Sequence, residues 1–318
     1  MMACEASLIG IDLGATWLRL CRIGTSSSEL LKFRTPSASE VHERLSRELG
    51  RLLHGTDTGV PIGLARAPGL DGTGHVSAWP SRPDWIGVPL LPTIAGVARS
   101  APCSADDGVC AAIWEHRAHR FPMTSTTACL TLGTGLGIGI VRNGIPVCTG
   151  DGADTIGHLP LGDPALVCVC GKNGCLQATL CPSRLRRGPH APTRALVDRV
   201  LREVWTYLRA HYGVERVVLT GGAVGTLGTL SGVDVSPLSE PATSGTASEP
   251  RFRLSSTPAL SALGGALVLA AAATADHPQV TTRIGRVLQQ WQLLTRAFAP
   301  GLPSSEPQSS TTTCAVPA

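Results

Sequence analysis

Apolar and polar positions along this chain follow two periods, and the periods take turns. Residues 7–12 form a short apolar run that reads as a strand. Residues 17–22 alternate apolar and polar, which reads as a second strand paired back on the first. Thr35-Pro36-Ser37 then opens a helix in which Ser37 and Glu40 make a capping box. Val41, Leu45, Leu49 and Leu52 recur on one face of it. Residues 60–65 read as a strand and residues 107–119 as a helix.

The order then repeats. Residues 128–132 form a strand that enters a glycine-rich turn. Residues 136–142 and 145–148 flank Asn143-Gly144, a strong hairpin signal. Residues 193–211 read as an amphipathic helix with Leu196, Val200, Val204 and Leu208 in line, and residues 216–220 as a strand ending at Gly221-Gly222. Residues 231–250 are rich in Ser, Thr, Pro and Gly and read as a mobile loop. The composition of the tail from Pro300 predicts disorder. Two strand-turn-strand blocks, each followed by helices, predict an α/β protein of two similar domains with a cleft between them. The expected domains are 1–121 and 122–299, parted near Phe121-Pro122, with 300–318 as a disordered tail.

Composition agrees with two domains: 318 residues suit about two. With 43% hydrophobic residues but only 4% aromatic, aliphatic side chains and alanine must fill the core. The net charge of +4 is small, and beyond Arg184, Arg186 and Arg187 no dense basic cluster occurs, which argues against nucleic acid as a partner. The lysines are Lys32 and Lys172, and neither stands where a P-loop needs one. No leader segment is evident, and the Ala-rich stretch 259–273, broken by Gly264-Gly265, is too short for a membrane span. A cytoplasmic, reducing location is expected.

Eleven cysteines are too many to ignore in a chain too long for a small disulfide scaffold. His158, Cys168, Cys170 and Cys175 stand in the spacing H-x9-C-x-C-x4-C, a complete ligand set for a structural tetrahedral Zn2+. The alternative is apolar cysteines scattered in a core. Three cysteines within eight residues, with Gly171 and Gly174 among them to let the backbone turn, favour the metal.

Three glycine turns are candidate nucleotide contacts. Asp12-Leu13-Gly14-Ala15-Thr16 could cradle a phosphate on backbone N–H groups, or could be a plain hairpin. Leu132-Gly133-Thr134-Gly135-Leu136-Gly137-Ile138-Gly139, with four glycines at alternate positions, leaves one strand edge bare for a second phosphate. The other reading is a bulged glycine-rich strand under a packed helix. Thr220-Gly221-Gly222-Ala223 could admit an adenine or ribose, or be a bare strand-to-helix turn.

In this order the pieces resemble the actin-like ATPase and sugar-kinase superfamily. Gly157-His158 followed by Cys-x-Cys-Gly-x-x-Gly-Cys-Leu is similar to the signature of the ROK family of sugar kinases and repressors. The run from Trp79 through Ser81, Arg82 and Asp84 to Trp85, the segment Asp106-Asp107-Gly108 leading to Glu115, and Ala153-Asp154-Thr155-Ile156-Gly157-His158 resemble further ROK motifs, with a lean towards the allose-kinase branch.

The resemblance implies two actin-like (ribonuclease H-like) α/β domains, a zinc-stabilised loop 158–175, and ATP-dependent phosphorylation of a hexose or related sugar at its 6-hydroxyl. Asp107 would be the general base, and Asp12 would help hold Mg2+. Gly14, Ala15, Thr16, Gly133, Thr134, Gly135, Gly137, Gly221 and Gly222 would bind ATP. Asp106, Thr155, His158 and Gln177 would meet the sugar, and the protein would be a homodimer. Asp107 also suits a helix N-cap, and both roles can hold at once.

Three sugar positions depart from the family: Asp106 stands for asparagine, and Thr155 and Gln177 for glutamates. Val109 and Ser81 replace further asparagines. The changes fit a kinase of altered substrate. They also fit a weakly active or non-catalytic sensor of sugar or nucleotide; a zinc-binding interaction module is a third reading, against which the bare Gly-x-Gly-x-Gly strand argues.

Overall fold

The structure is a computed structural model. It describes residues 7–24, 27–56, 59–147, 156–181, 192–224, 235–237, 252–255, 260–273, 287 and 310–315. The described residues fall into two compact units, drawn from Met1–Cys110 with Leu263–Ala318 and from Ala111–Ala262.

In the first unit, strands β1 (Leu8–Leu13), β2 (Trp17–Ile23) and β3 (Ser27–Arg34) form an antiparallel meander. Strands β4 (Ile62–Arg66) and β7 (Cys103–Asp106) extend the sheet in parallel from β1, while β5 (Gly69–Leu70) and β6 (Val76–Ala78) form a small separate ribbon. Helix α1 (Val41–Leu53) buries Val41, Leu45, Leu49 and Leu52, the stripe read from the sequence. These side chains join Ile9, Ile11, Leu18 and Leu20 in one core, which helix α2 (Leu90–Ala98) completes with Leu90 and Ile94. The capping box forms only in part. Ser37 N and Oγ both donate to Glu40 Oε2, yet the helix starts four residues later, at Val41.

The second unit repeats the plan. Strands β8 (Thr126–Leu132), β9 (Leu136–Arg142) and β10 (Ile145–Val147) form an antiparallel meander. Asn143 and Gly144 both take positive φ at its tight turn, as an Asn-Gly hairpin requires. Strands β11 (Arg216–Thr220), β13 (Phe252–Leu254) and β12 (Val235–Pro237) continue in parallel from β8. Helix α5 (Arg194–Tyr212) is capped by Thr193, whose hydroxyl accepts from Leu196 N at 3.2 Å. It buries Val197, Val200, Leu201, Val204, Trp205 and Leu208 against the sheet.

The division differs from the one expected at Phe121-Pro122. Helix α3 (Asp107–Ala118) runs through the boundary without a break, and helix α6 (Ser261–Ala272) returns across it. A continuous helix leaves no compositional mark at a domain edge; Pro122 marks only the helix end. Within the second unit, Glu115 Oε1 accepts from Ser255 Oγ at 2.7 Å and Ser261 Oγ at 2.5 Å, while Oε2 lies 2.7 Å from His119 Nε2.

Two further expectations are corrected. Strand β14 (Ser310–Ala315) pairs antiparallel with β3, inside the tail read as disordered. Ser310-Thr311-Thr312-Thr313 is polar, but its β-branched threonines suit an edge strand. Val235–Pro237 likewise forms a strand within the segment read as a loop; the rest of that segment lies outside the described residues.

Candidate active site and metal centre

The first glycine turn joins β1 to β2. Gly14 N donates to Trp17 O at 3.0 Å, and Thr35 Oγ1 donates to Gly14 O at 2.6 Å. Asp12, 4% exposed, stands directly across the β1–β2 ladder from Arg19. Arg19 Nη1 meets Asp12 Oδ2 at 2.6 Å. Burial raises the Asp12 pKa, and Arg19 opposes part of that rise.

Sequence reasoning missed the role of Arg82. Its Nη1 donates to Ala15 O at 3.3 Å and its Nη2 to Pro36 O at 2.7 Å. Its guanidinium lies beside the rings of Trp79 and Trp85, which pack edge to face with centroids 4.9 Å apart. Arg82 thus ties the Trp79-to-Trp85 segment to the first glycine turn. An arginine between two tryptophans was the available signal.

β7 ends at Asp106 and α3 begins at Asp107. Asp106 Oδ1 accepts from Gly108 N at 2.9 Å, the bond an N-terminal cap makes. The cap-type bond assigned from sequence to Asp107 is thus made by its neighbour. Burial, then the charges of Asp106 and Asp12, push the Asp107 carboxyl well above the usual carboxylate range; the Gly108 N–H and Arg66 oppose the rise.

The other glycine turns lie in the second unit and adjoin one another. Gly133 N donates to Gly135 O at 3.0 Å. Gly221 has φ +99, and a Cβ there would stand 2.4 Å from Leu132 O. Ala223 N donates to that same carbonyl at 3.1 Å, so the turn after β11 rests on the end of β8 beside Gly133. Only glycine permits both the dihedral and the approach. Gln177, in the short helix α4 (Leu176–Leu180), accepts from Leu136 N through Oε1 at 3.3 Å. Its amide oxygen therefore serves the second glycine turn. Thr155 lies outside the described residues.

The four expected metal ligands come together. His158 ends a single 3-10 turn (Ile156–His158), and its Nδ1 lies 3.5 Å from Cys168 Sγ. Cys170 Sγ lies 3.6 Å from Cys175 Sγ, and all four ligand atoms lie within 4.8 Å of one another. A tetrahedral Zn2+ with ordinary bond lengths places nitrogen about 3.5 Å from sulfur and two sulfurs about 3.8 Å apart. The donor set therefore fits zinc.

The loop is shaped by its own backbone. Cys168 N donates to Lys172 O at 2.8 Å, Gly174 N to Leu166 O at 2.9 Å, and Gly171 and Gly174 both have positive φ. Burial is the largest cause that pushes the Cys175 thiol up to about 12, followed by its Cys170 and Cys168 neighbours. Such a thiol becomes a ligand only by giving its proton up to a metal. The ligand cysteines Cys168, Cys170 and Cys175 form no disulfide. Among the described residues no helix is long and apolar enough to cross a membrane.

The chain is 32% identical over 188 residues to a kanosamine kinase of Amycolatopsis mediterranei, covering 56% of this chain and 61% of the relative. It is 27% identical over 190 residues to a glucokinase of Thermotoga maritima, covering 58% and 60%. The chain thus matches about three fifths of the length of these curated relatives.

Its fold is similar to that of a ROK hexokinase from Thermus thermophilus, with TM-score 0.60, 23% identity, and coverage of 83% of this chain and 97% of the other. It is also similar to a ROK family glucokinase from Streptomyces griseus solved with glucose and AMPPNP, with TM-score 0.59, 20% identity, and coverage of 83% and 98%. The mixed α/β fold is thus that of the ROK sugar kinases. The ROK family model matches residues 8–195, more than half of the chain, and the protein belongs to the ROK family.

Proposed function

We propose that this protein transfers the γ-phosphoryl group of ATP to a hydroxyl of a hexose or related sugar, the 6-hydroxyl by family likeness. Asp107 is the general base of this reading. Its environment is the observation that carries the proposal: a carboxyl at the start of α3, beside Asp106 and within the field of Asp12, whose proton affinity burial raises. Such a carboxylate takes a proton from a hydroxyl more readily than an ordinary one. The sugar oxygen bonds to the γ-phosphorus as Asp107 takes its proton, the bond to the β,γ-bridging oxygen breaks, and ADP leaves. Asp107 then loses the proton to water.

Asp12, paired with Arg19, would help hold Mg2+ directly or through water, and the ion would supply charge neutralisation at the phosphates. The turns at Gly14, Gly133 and Gly221 offer backbone N–H groups to the nucleotide. His158, whose Nδ1 lies beside Cys168 Sγ, would hold Zn2+ through that nitrogen, and the metal would orient the ring so that Nε2 addresses a sugar hydroxyl. The kinases named among the relatives support a sugar as acceptor.

One observation favours a second reading, a sugar sensor of weak or no activity. Gln177 Oε1, expected to accept from a sugar hydroxyl, already accepts from Leu136 N, which reduces what it can offer a sugar. Phosphorus NMR of the zinc-loaded protein with Mg-ATP and a sugar panel separates the two. A new sugar phosphomonoester signal, lost in Asp107→Asn, supports the kinase. Calorimetric sugar binding without that signal supports the sensor.

A further inference from the structure

Glu115 is a buried carboxyl group for which the reaction above has no use. It lies in α3 with no exposed surface, and a carboxyl taken out of water must be held by hydrogen bonds. Two of its partners come from other segments. Oε1 accepts from Ser255 Oγ at 2.7 Å and from Ser261 Oγ at 2.5 Å, while Oε2 lies 2.7 Å from His119 Nε2. Ser255 directly follows β13, and Ser261 opens α6.

The chain of bonds continues beyond Ser261, whose Oγ lies 2.7 Å from Thr220 Oγ1. A serine hydroxyl has one proton to donate. Ser261 gives its proton to Glu115, so Thr220 donates to Ser261, and the carboxyl oxygen sets the direction of the whole chain. Thr220 is buried and is the last residue of β11; Gly221 follows at φ +99.

This network sits where a sheet binds ligands. Strands β8, β11 and β13 run parallel, so Thr220 and Ser255 stand at the carboxyl ends of β11 and β13, the edge at which open α/β sheets take their ligands. The Gly221 turn is then held at two points. Ala223 N donates to Leu132 O at 3.1 Å after the turn, and Glu115 holds Thr220 through Ser261 before it.

We propose that Glu115 is a positioning residue for the nucleotide: through Ser261 and Thr220 it fixes the Gly221-Gly222 turn in its binding conformation. The proposal rests on the reading of that turn as a nucleotide contact. A turn ordered in advance need not be ordered by its ligand, so affinity rises without any contact between Glu115 and the nucleotide.

The test measures Mg-ADP binding by calorimetry on zinc-loaded wild type, Ser261→Ala, Ser255→Ala, Glu115→Gln and Glu115→Ala, with zinc content and Tm recorded alongside. Ser261→Ala cuts the chain to Thr220. Ser255→Ala removes the other hydroxyl bond to the same oxygen and leaves that chain whole. Both should bind zinc as the wild type does and lose similar amounts in Tm. Ser261→Ala should weaken Mg-ADP by about tenfold or more, on the scale of a hydrogen bond to a charged group, and Ser255→Ala by less than about threefold. Glu115→Gln keeps an acceptor oxygen for Ser261 and should bind nearly as the wild type does, whereas Glu115→Ala should bind as weakly as Ser261→Ala.

Wild-type affinity in Ser261→Ala would overturn the proposal. So would equal losses in Ser261→Ala and Ser255→Ala, which would make Glu115 a prop of the fold alone. A wild-type protein that binds no Mg-ADP would remove the nucleotide reading of the turn and this inference with it. Mg-ADP binding that none of the four variants moves would remove this inference and leave the nucleotide reading standing.

Discussion

Arg19 and Asp12 face each other across the first hairpin, with Nη1 and Oδ2 2.6 Å apart and side chains only 14% and 6% exposed. Removing Arg19 alone strands a buried carboxylate. Arg19→Ala is therefore expected to lose about 3–5 kcal/mol of stability in urea unfolding. Pairing Arg19→Met with Asp12→Leu should recover much of the loss, because the uncompensated charge goes with it. A loss below about 1 kcal/mol in Arg19→Ala would contradict the pairing.

The Asp107 carboxyl sets two trends with pH. As a base it must be ionised, so kcat/KM should rise with pH through its raised pKa. For stability the sign is opposite. The folded state holds this proton more tightly than the unfolded chain does. The stabilisation is complete below the ordinary carboxylate pKa and is lost as pH rises through the raised value. Asp107→Asn escapes that loss. Its melting temperature should match the wild type near about pH 4 and exceed it by a growing margin towards about pH 8, while turnover falls by about 10²–10⁴-fold. A variant that is less stable at the higher pH would contradict the assignment.

Zinc should hold the loop around Cys175, which is fully buried. Cys175→Ser is expected to lose stoichiometric zinc by elemental analysis and about 2 kcal/mol or more, a drop of roughly 4–8 °C in Tm. Strong chelators should lower the wild-type Tm and leave the variant unmoved. Because the thiols must release protons, zinc uptake should weaken as pH falls. A variant that keeps its zinc would contradict the ligand set.

Gly63 lies in β4 under helix α6. A Cβ there would fall 1.7 Å from Ala266 O and 2.9 Å from Ala270 N, both backbone atoms of the helix. Gly63→Ala should cost about 3 kcal/mol, because the helix must move off the sheet. Gly50, in α1, has nothing within 4 Å of its would-be Cβ, so Gly50→Ala should gain about 0.5–1 kcal/mol. Equal melting temperatures for the two variants would contradict the packing.

The parts of the fold legible in the sequence were those with a local cause. The stripe Val41, Leu45, Leu49, Leu52 and the Asn143-Gly144 turn each depend on neighbours a few residues away. The metal cluster was legible because its spacing nearly closes the loop by itself. What escaped depends on distant chain. β14 forms only because β3 offers an edge, and the unit boundary is hidden inside α3. Gln177 Oε1 accepts from Leu136 N, 41 residues earlier, a bond no local pattern announces. Arg82 joins segments 46 and 67 residues away, and its two flanking tryptophans hint at a contact without telling its partners.

The central claim is a phosphoryl transfer that depends on one carboxylate. Its most direct test is ADP release by zinc-loaded protein with Mg-ATP, over glucose, allose, mannose, fructose, glucosamine, N-acetylglucosamine and N-acetylmannosamine, with Asp107→Asn alongside. Sugar-dependent ADP release on at least one acceptor, reduced by about 10²-fold or more in the variant, is the result this account predicts. Release that Asp107→Asn leaves unchanged, or none on any sugar while nucleotide still binds, would contradict it.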